Sequence, residues 1–476
     1  MNIPVTNADW DALAPVSVVA VTALVVLLAD LLAGKHLQRY VPIGIALAGT
    51  CAAALLCIGS YGHDDAAFGG AFIVGGFSVV FQLIVLFSAA MSLVLYGVIG
   101  KNERMPGAVA LLLWSTCGAM LMAGAGNLMT IFLGLELLSL ALYCLCGLAD
   151  RPTARESALK YLILSSTASG VMLYGMALLF GASGSVALAD LASPALAGNP
   201  LLWLGAGLFF VGIAFKLSLV PFHAWSPDVY EGAPLPVTAF MSVATKAATL
   251  AVFARFTYAA LPPGADTKLL LPIWIIAAIS MIAGNVGMLA QRDLKRLIAY
   301  SGIAQAGYIL AALAGGTALG LRYAIYYLAA YAFMNLGAFA VAALLSDDSE
   351  QGSTLQNYRG LGARRPALAA LMTFFLLAMA GLPPTAGFLG KILILGTTVN
   401  AGYAWLGGVL ILGTAISLYA YAKVIFAMYV HGGHGTPHEA RPVAPLAWIG
   451  ACACALALLV MTFYPLTPSN VLPLVK

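Results

Sequence analysis

Long apolar runs are the feature that most restricts how this chain can fold. Several uncharged, mostly apolar stretches exceed the about 18 residues that mark a membrane-spanning helix, and they recur along the whole chain. Only 8% of the residues are charged, whereas about a quarter are charged in a typical soluble domain. So few charges cannot cover a soluble globule of this length. The sequence therefore excludes an ordinary soluble fold and predicts an all-α, polytopic membrane protein.

Charged residues, prolines and glycines divide the apolar runs into about fourteen predicted spans, centred near residues 24, 50, 84, 114, 137, 169, 210, 248, 280, 306, 333, 383, 416 and 454. One set of alternate loops holds most of the basic residues, namely Lys35, Arg39, Lys101, Arg104, Arg151, Arg155, Lys160, Arg292, Lys295, Arg296, Arg359, Arg364, Arg365 and Arg441. The other loops and the C-terminus hold only Lys268, Arg322 and Lys476. Because basic residues favour the cytoplasmic side, an even number of spans with both termini outside is predicted.

The N-terminus and the cysteines carry little functional signal. The segment MNIPVTNADWDALAP contains no basic residue, so it lacks the positive region of a cleaved signal peptide, and the first span is expected to remain. All seven cysteines lie in apolar stretches, and none has a metal-ligand spacing with a histidine. They are expected to pack as small hydrophobic residues, and no metal site is predicted.

A few ionisable residues fall within spans rather than loops. Such a group costs at least about 2.5 kcal/mol on insertion scales, so each is a candidate for function. The acid is Glu136, in the run TIFLGLELLSLALYCL. The basic residues are Lys216, Lys246, Arg255, Lys391 and Lys423. Arg255 lies near the end of its predicted helix and is expected to snorkel to the membrane interface.

The four lysines and Glu136 do not form a balanced set of ion pairs, because one carboxylate pairs with at most one lysine at a time. A single buried lysine could be structural, but the whole set is harder to explain by packing. A lysine that gains and loses a proton as its neighbours move can relay protons. No ligand cluster for a metal or an organic cofactor accompanies the set, so the interpretation is proton transfer, with a purely structural role as the alternative.

Prolines and glycines interrupt two predicted helices beside lysines. The sequence around Lys216 is FVGIAFKLSLVPFHAWSPDVYEGAPLPVTAF, and the sequence around Lys391 is FFLLAMAGLPPTAGFLGKILILG. Each segment runs for about 30 residues where about 20 suffice to span, so both are predicted to be broken helices. Broken backbone at membrane depth is tolerated where it lines a cavity, which places both lysines at a polar path.

Polar residues recur at similar spacing in the two halves of the chain. In each half, a polar residue on an unbroken helix precedes a broken helix with a lysine, and another lysine follows on the next helix. The two series are Glu136, Lys216 and Lys246, and Gln305, Lys391 and Lys423. This spacing indicates two five-helix units of opposite orientation, because five is odd. The predicted divisions are 1–104 for three N-terminal helices, 105–262 for the first unit, 263–430 for the second and 431–476 for the last helix.

Four sequence blocks resemble the antiporter-like membrane subunits of respiratory complex I, the bacterial NADH-quinone oxidoreductase. They are KLSLVPFHAWSPDVYEGAPLPVTAFMSVATKAA, QRDLKRLIAYSGIAQAGYIL, AGLPPTAGFLGKILIL and RESALKYLILSSTASGVMLYGMALLFG. The likeness covers about residues 75–430. The form APLPVTAF is more similar to the subunit N branch of this family than to its L and M branches or to the multisubunit cation/proton antiporters.

The resemblance implies a fourteen-helix membrane-arm subunit with two inverted five-helix repeats, in the bacterial inner membrane with both termini periplasmic. Such a subunit couples NADH:quinone electron transfer to proton pumping beside other antiporter-like and small membrane subunits, without nucleic acid. NADH, FMN, iron–sulfur clusters and quinone would bind other subunits, and no cofactor is expected in this chain. The alternatives are a component of a multisubunit cation/proton antiporter, or a structural membrane subunit without its own proton path.

The resemblance also implies roles for the charged residues within spans. Glu136 would pair with Lys216, Lys246 would connect toward the membrane centre, and Lys391 would serve the second half-channel. Our hypothesis is that redox chemistry elsewhere in the complex changes the pairing of Glu136 and Lys216. The proton would then move through Lys246 toward Lys391 and leave the membrane.

Three further residues are candidates for the relay. Gln305 stands where family members often have histidine, and its amide can hold water but does not titrate near neutral pH. His223, beside the first break, is either a relay residue or a simple polar contact. Lys423 is a possible relay or water-holding residue in the second half.

Overall fold

The computed structural model describes residues 5–32, 40–99, 105–262, 266–313, 316–345, 353–430 and 444–464, and these residues are almost entirely helical. A hairpin of β1 (Asp65–Ala67) and β2 (Phe72–Val74) pairs antiparallel, with Ala66 opposite Ile73. The helices are α1 (Asn7–Leu32), α2 (Tyr40–Gly59), α3 (Gly76–Ile99), α4 (Met105–Gly124), α5 (Leu128–Cys146), α6 (Pro152–Ser183), α7 (Leu188–Leu191), α8 (Pro200–Lys216), α9 (Trp225–Gly232), α10 (Leu235–Ala259), α11 (Asp266–Leu289), α12 (Leu294–Leu313), α13 (Ala318–Leu345), α14 (Leu361–Arg364), α15 (Pro366–Ala380), α16 (Ala386–Asn400), α17 (Ala404–Tyr429) and α18 (Pro445–Phe463). Short 3₁₀ turns occupy Pro194–Leu196 and Leu355–Tyr358.

The number of helices that could span a membrane agrees with the number predicted from the sequence. Among the described residues, 12 helices are long and apolar enough to cross a membrane. Two broken segments, α8 with α9 and α15 with α16, supply the remaining spans. Together these elements account for the about fourteen spans expected, and the predicted helix break beside Lys216 and beside Lys391 is confirmed.

The second break shows how local chemistry ends one half-helix and begins the next. Gly381 has a φ of 80° and its N–H donates to the Leu377 carbonyl oxygen at 3.0 Å, which closes the end of α15. Pro383 and Pro384 follow and have no N–H with which to continue the helix. The Thr385 hydroxyl then accepts from the Phe388 N–H at 3.3 Å, which caps the start of α16.

The centre of the bundle is built on α10 and α13. Nearly every residue of helix α10 is buried, including the whole window that would cross the membrane. It packs against α3, α4, α12 and α13, while α13 also packs against α15, α16 and α18. The helices α1, α2, α6, α17 and α18 expose apolar outer faces, as expected where a bundle meets lipid.

Each half of the chain contains a helix pair whose close backbone contact requires a glycine. A Cβ at Gly118 of α4 would lie 2.4 Å from the Leu138 nitrogen of α5. In the second half, a Cβ at Gly284 of α11 would lie 2.6 Å from the Ala304 nitrogen of α12. Small residues let two backbones approach in this way, so the pairs α4–α5 and α11–α12 pack alike.

The connection between the two helices of each pair makes the same kind of contact in both halves of the chain. Asn127 and Ala187 form an isolated antiparallel bridge, and so do Asp293 and Thr354. Each bridge joins the connection inside the helix pair to the loop after the next long helix, α6 or α13. The segments α4, α5, α6, α8–α9 and α10 thus have counterparts in α11, α12, α13, α15–α16 and α17. With five crossings each, consecutive units run in opposite directions.

Two of the basic loops predicted on one side do meet in the structure. The Lys160 Nζ lies 3.0 Å from an Asp228 carboxylate oxygen, and an Arg296 nitrogen lies 2.7 Å from the other oxygen of the same carboxylate. The starts of α6 and α12 therefore lie on the same side, as the charge pattern predicts. Other residues of that pattern lie outside the described residues, namely Lys35, Arg39, Lys101, Arg104, Arg441 and Lys476. The predicted divisions at 104, 263 and 431 also lie outside them.

The cysteines divide between the interior and the outer faces of the bundle. Cys57, Cys117, Cys146 and Cys454 are buried, as expected for small hydrophobic residues. Cys51, Cys144 and Cys452 are exposed on the outer faces of their helices. Their positions on helices fix this difference, because a residue inside an apolar run can face either the bundle or the lipid.

Candidate functional site

Three of the predicted lysines lie inside the bundle. The exposed fractions are 2% for Lys216, 2% for Lys246 and 4% for Lys391. Within the described chain, none of them forms an ion pair with a carboxylate. Each ammonium group instead meets hydroxyl or carbonyl oxygens and the faces of tyrosine rings, which stabilise a cation at lower cost than an apolar wall would.

Lys216 ends α8 and points onto α6. Its Nζ donates to the Ser165 hydroxyl at 2.8 Å and to the Tyr161 hydroxyl at 3.3 Å. The same Nζ lies 5.0 Å from the centre of the Tyr161 ring and 5.9 Å from that of Tyr143 on α5. A Cβ at Gly175 of α6 would lie only 2.6 Å from a backbone nitrogen of α8, so glycine brings the two helices close enough for these bonds.

Glu136 stands on α5 without a direct bond to Lys216. Its side chain is half-buried, and its Oε1 is buried with no hydrogen-bond partner among the described residues. The direct Glu136–Lys216 pair that the resemblance implies is therefore not formed in this structure. Tyr143, two turns further along α5, places its ring centre 5.9 Å from the Lys216 ammonium.

Lys246 lies at the middle of α10, where it reaches both halves of the chain. Its Nζ donates to the Tyr230 hydroxyl at 3.5 Å, and Tyr230 belongs to α9 in the first break. The Nζ also lies 5.9 Å from the centre of the Tyr331 ring on α13. A Cβ at Gly302 of α12 would be 3.0 Å from this Nζ, so the absence of a side chain at Gly302 makes room for the ammonium group.

A small cavity of about 10 Å³ lies between the first break and α12. Lys246 lines it together with Leu217, the residue after Lys216, and Ala306, the residue after Gln305. A volume of this size holds about one water molecule. Lys246 is the charged group in its lining, and the other lining residues are apolar.

Lys391 and Gln305 share one carbonyl group at the second break. The Lys391 Nζ donates to the carbonyl oxygens of Met379 at 3.1 Å and Ala380 at 2.9 Å, in the last turn of α15. The Gln305 Nε2 donates to the same Met379 oxygen at 3.3 Å. The Tyr327 hydroxyl donates to the Gln305 Oε1. Gln305 is therefore held between α12, α13 and α15, in contact with the carbonyl that binds Lys391.

The structure does not bring Lys423 or His223 to the three buried lysines. Lys423 is exposed within two turns of the end of α17 and donates to the Leu289 carbonyl oxygen at 3.2 Å. Lys423 lies within the predicted span α17, but its side chain reaches the backbone at the end of α11 rather than the interior lysines. His223 is half-buried between α8 and α9, and its Nδ1 has no partner among the described residues.

Several residues of the site were not singled out from the sequence. Tyr161 and Ser165 stand four residues apart on α6, a spacing that places both on one helix face and could have suggested a common partner. Tyr230 lies inside the quoted first break. Lys295, predicted in a loop, is buried, and its Nζ donates to the carbonyl oxygens of Glu231 and, at 3.0 Å, Ala233 at the end of α9.

Removal of the Ser165 hydroxyl should destabilise the protein, whereas removal of the neighbouring Ser169 hydroxyl should not. Ser165→Ala takes a hydrogen bond from the Lys216 ammonium, and bonds to charged groups are worth about 1.5–3 kcal/mol. Ser169 lies one turn further on α6, and its buried hydroxyl has no partner in the described structure. Thermal unfolding followed by circular dichroism checks this, and equal melting temperatures for the two variants would contradict it.

Comparison with known proteins agrees with this geometry. Residues 125–431 match the family described as "NADH:quinone oxidoreductase/Mrp antiporter, TM". NADH-quinone oxidoreductase subunit N of Trichlorobacter lovleyi is 38% identical over 447 residues, which cover 92% of this chain and 91% of the relative. NADH-quinone oxidoreductase subunit N 1 of Symbiobacterium thermophilum is 43% identical over 457 residues, which cover 92% and 90%. A chain of respiratory complex I from Thermus thermophilus with bound aureothin superposes with a TM-score of 0.83 at 32% identity, covering 96% of this chain and 99% of that one.

Proposed function

The chain belongs to the subunit N family of NADH-quinone oxidoreductase, and we propose that Glu136, Lys216, Lys246 and Lys391 carry its proton translocation. It is a multi-pass subunit of a proton-translocating enzyme complex, and the chemistry proposed for this chain is proton transfer rather than redox chemistry. The observation that carries the proposal is the line of buried lysines through the middle of the bundle.

Contacts link the lysines in order across the two halves. Lys216 is followed by Leu217, which lines the same cavity as Lys246. Lys246 packs against Gly302 of α12, one turn before Gln305. Gln305 and Lys391 both donate to the Met379 carbonyl oxygen. No direct contact joins Lys216 to Lys246 among the described residues, so the first transfer is proposed to pass through water that enters beside Lys246.

Glu136 is proposed to control the first step. An ion pair at about 4 Å with an effective dielectric constant near 20 is worth roughly 4 kcal/mol, so approach of the carboxylate would strongly favour a charged Lys216. The unpartnered Oε1 and the separate Lys216 ammonium support a switch between a paired and an open arrangement. In the open arrangement the Lys216 proton would be free to pass toward Lys246. Gln305 would hold the path between Lys246 and Lys391 by hydrogen bonds without titrating.

Several accompanying features belong to the proposal. The subunit would lie in the bacterial inner membrane with both termini periplasmic, in units divided near residues 105–262 and 263–430. It would sit beside another antiporter-like subunit and small membrane subunits, as the Thermus thermophilus complex I chain is part of a larger complex. NADH, FMN, iron–sulfur clusters and quinone would all bind other subunits. Lys423 and His223 would have at most supporting roles, since neither contacts the lysine line.

Glu136→Gln and Lys216→Met test the proposal in the assembled complex. Both variants should lower the number of protons translocated per NADH oxidised, because the first removes the switching charge and the second removes the first proton carrier. Thr116→Val on the neighbouring helix α4 is the matched control, since it replaces a buried polar side chain whose hydroxyl donates to the backbone of its own helix, at Leu112. Proton release by complex in sealed vesicles is measured against NADH oxidation.

Each outcome of this experiment separates the proposal from its rivals. An unchanged proton-to-NADH ratio in assembled Lys216→Met complex would show that the lysine line does not carry the proton. Sodium or potassium exchange without NADH would favour the cation/proton antiporter. A loss of assembly with a normal ratio in the remaining complex would favour a purely structural subunit.

A further inference from the structure

Arg255 is a buried cation at the end of α10 that lies away from the first break. Its exposed fraction is 6%, so the prediction that it snorkels to the interface is wrong. The guanidinium donates to the Ala125 carbonyl oxygen at 2.9 Å and to the Ser78 hydroxyl at 2.9 Å. It also lies 5.3 Å from the centre of the Phe77 ring. No carboxylate of the described chain forms an ion pair with it, so its positive charge is uncompensated there.

Lys423 occupies the corresponding place in the second unit. Both residues lie within about two turns of the end of the closing helix of their unit, whereas Lys246 lies at mid-helix. Arg255 donates to the backbone between α4 and α5, and Lys423 donates to Leu289 at the end of α11, just before α12. Lys246 and Lys423 lie on the corresponding helices α10 and α17, as the sequence spacing predicts, but at different distances from the helix ends. Arg255 is the buried member of this pair of end cations, and Lys423 is the exposed one.

The position of Arg255 closes the far end of the first unit. It lies nine residues after Lys246 on α10, a rise of about 13–14 Å. Ala125, its carbonyl partner, forms a bridge with Phe72 of the β-hairpin. The Arg255 side chain thus lies at the end of α10 that is remote from the first break, beside the β-hairpin.

A proton relay that crosses from the first unit to the second needs such a closure. A proton on Lys246 could otherwise leave directly along α10, and protons outside could return to Lys246 by the same path. An arginine keeps its charge at all relevant pH values, and a fixed positive charge in a pore repels protons. Resting on the proposed relay, we propose that Arg255 is an electrostatic barrier that prevents protons from passing between Lys246 and the far side of the first unit.

An electrostatic barrier depends on the positive charge of Arg255, whereas a purely structural role depends on its hydrogen bonds. Variants that change one property and keep the other therefore distinguish the two roles. Arg255→Met removes the charge, and Arg255→Lys keeps it with fewer donors. Ser78→Asp retains Arg255 and its bond to Ala125 but places a carboxylate at the Ser78 contact, which is 2.9 Å from the guanidinium. Ser78→Ala removes the same contact without adding charge, and is the matched control.

Passive proton flow through the complex tests the barrier. Purified complex is reconstituted into liposomes with a trapped pH-sensitive dye, and a potassium diffusion potential drives protons without NADH. A unit charge about 13 Å away in a medium of effective dielectric near 20 changes a rate by roughly tenfold, so Arg255→Met and Ser78→Asp should leak about tenfold faster. Arg255→Lys and Ser78→Ala should match the unmodified complex.

Two results would overturn the barrier. One is a proton leak rate that is unchanged in assembled Arg255→Met or Ser78→Asp complex. If the Arg255→Met complex does not assemble, the leak rate of the Ser78→Asp complex is the test. The other is a fast leak that persists in the double variant Lys246→Met/Arg255→Met, because the proposed leak must pass through Lys246. Lys216→Met pumping is measured separately with NADH, so failure of the relay and failure of the barrier give different results.

Discussion

Proton translocation through this subunit should stop when Lys246 is replaced by methionine, while the subunit remains folded. Lys246 is a buried lysine at mid-helix that contacts both halves, through Tyr230 of α9 and Gly302 of α12. A positioned proton donor or acceptor typically accelerates transfer by about 10²–10⁴-fold. Methionine has similar length but cannot carry a proton, so at least a hundredfold loss of transfer through this subunit is expected.

Assembly should survive the Lys246→Met substitution. Lys246 has no carboxylate partner in the described structure, so its removal leaves no buried negative charge unpaired. Replacement of a buried charged group by an apolar one of similar volume is often neutral or stabilising. The cavity beside Lys246 is otherwise lined by apolar residues, among them Leu217 and Ala306, which suits the methionine side chain.

The measurement pairs proton release with electron transfer in the same vesicles. Electron transfer to an artificial acceptor that bypasses the membrane subunits reports intact redox subunits. Thr249→Val is the matched control, because it replaces a buried polar side chain on the same helix whose hydroxyl bonds only to the Thr245 backbone. A Lys246→Met complex that assembles and pumps like Thr249→Val would contradict the relay.

Replacement of Gly175 by alanine should destabilise the protein and displace α8 from α6. The new Cβ would lie 2.6 Å from the Phe209 nitrogen and 2.8 Å from the Gly205 carbonyl oxygen. Both atoms belong to the α8 backbone, so neither can move without shifting the helix. Overpacking of this kind costs about 1–3 kcal/mol. The same shift would draw Lys216 away from Ser165, so pumping should fall as well.

Gly170→Ala is the control for this effect. Gly170 lies on the same helix, five residues before Gly175, and a Cβ there meets no atom within 4 Å. Alanine is favoured over glycine in helices by about 0.5–1 kcal/mol, so Gly170→Ala should be neutral or slightly stabilising. Melting temperatures of the purified variants show the difference. A melting temperature of Gly175→Ala equal to or above that of Gly170→Ala would show that the close α6–α8 contact does not limit the stability of the protein.

Much of the architecture was readable from local sequence. Hydrophobic length predicted about fourteen spans, and prolines beside Lys216 and Lys391 predicted the two breaks that the structure contains. These features depend on composition over one helix length or on residues that cannot continue a helix. Depth in the membrane also placed Lys216, Lys246 and Lys391 correctly in the interior.

The errors arose where depth alone does not determine surroundings. Arg255 and Lys423 both stand near helix ends, yet Arg255 is buried and Lys423 is exposed. Lys295 follows a loop in sequence but is buried against the carbonyl groups at the end of α9. In each case the outcome depends on which element packs over the helix end. Spacing along one chain contains no information about that neighbour.

The sequence by itself determined that this protein crosses a membrane many times and carries lysines at membrane depth beside two broken helices. Only the tertiary structure decided which groups those lysines meet, such as Ser165 for Lys216 and the Met379 carbonyl shared by Gln305 and Lys391. The physical reason is that the two properties depend on residues at different separations along the chain. Membrane insertion and helix breaking are set by side chains within one segment, whereas a path for protons is set by contacts of a few ångströms between segments far apart in the chain.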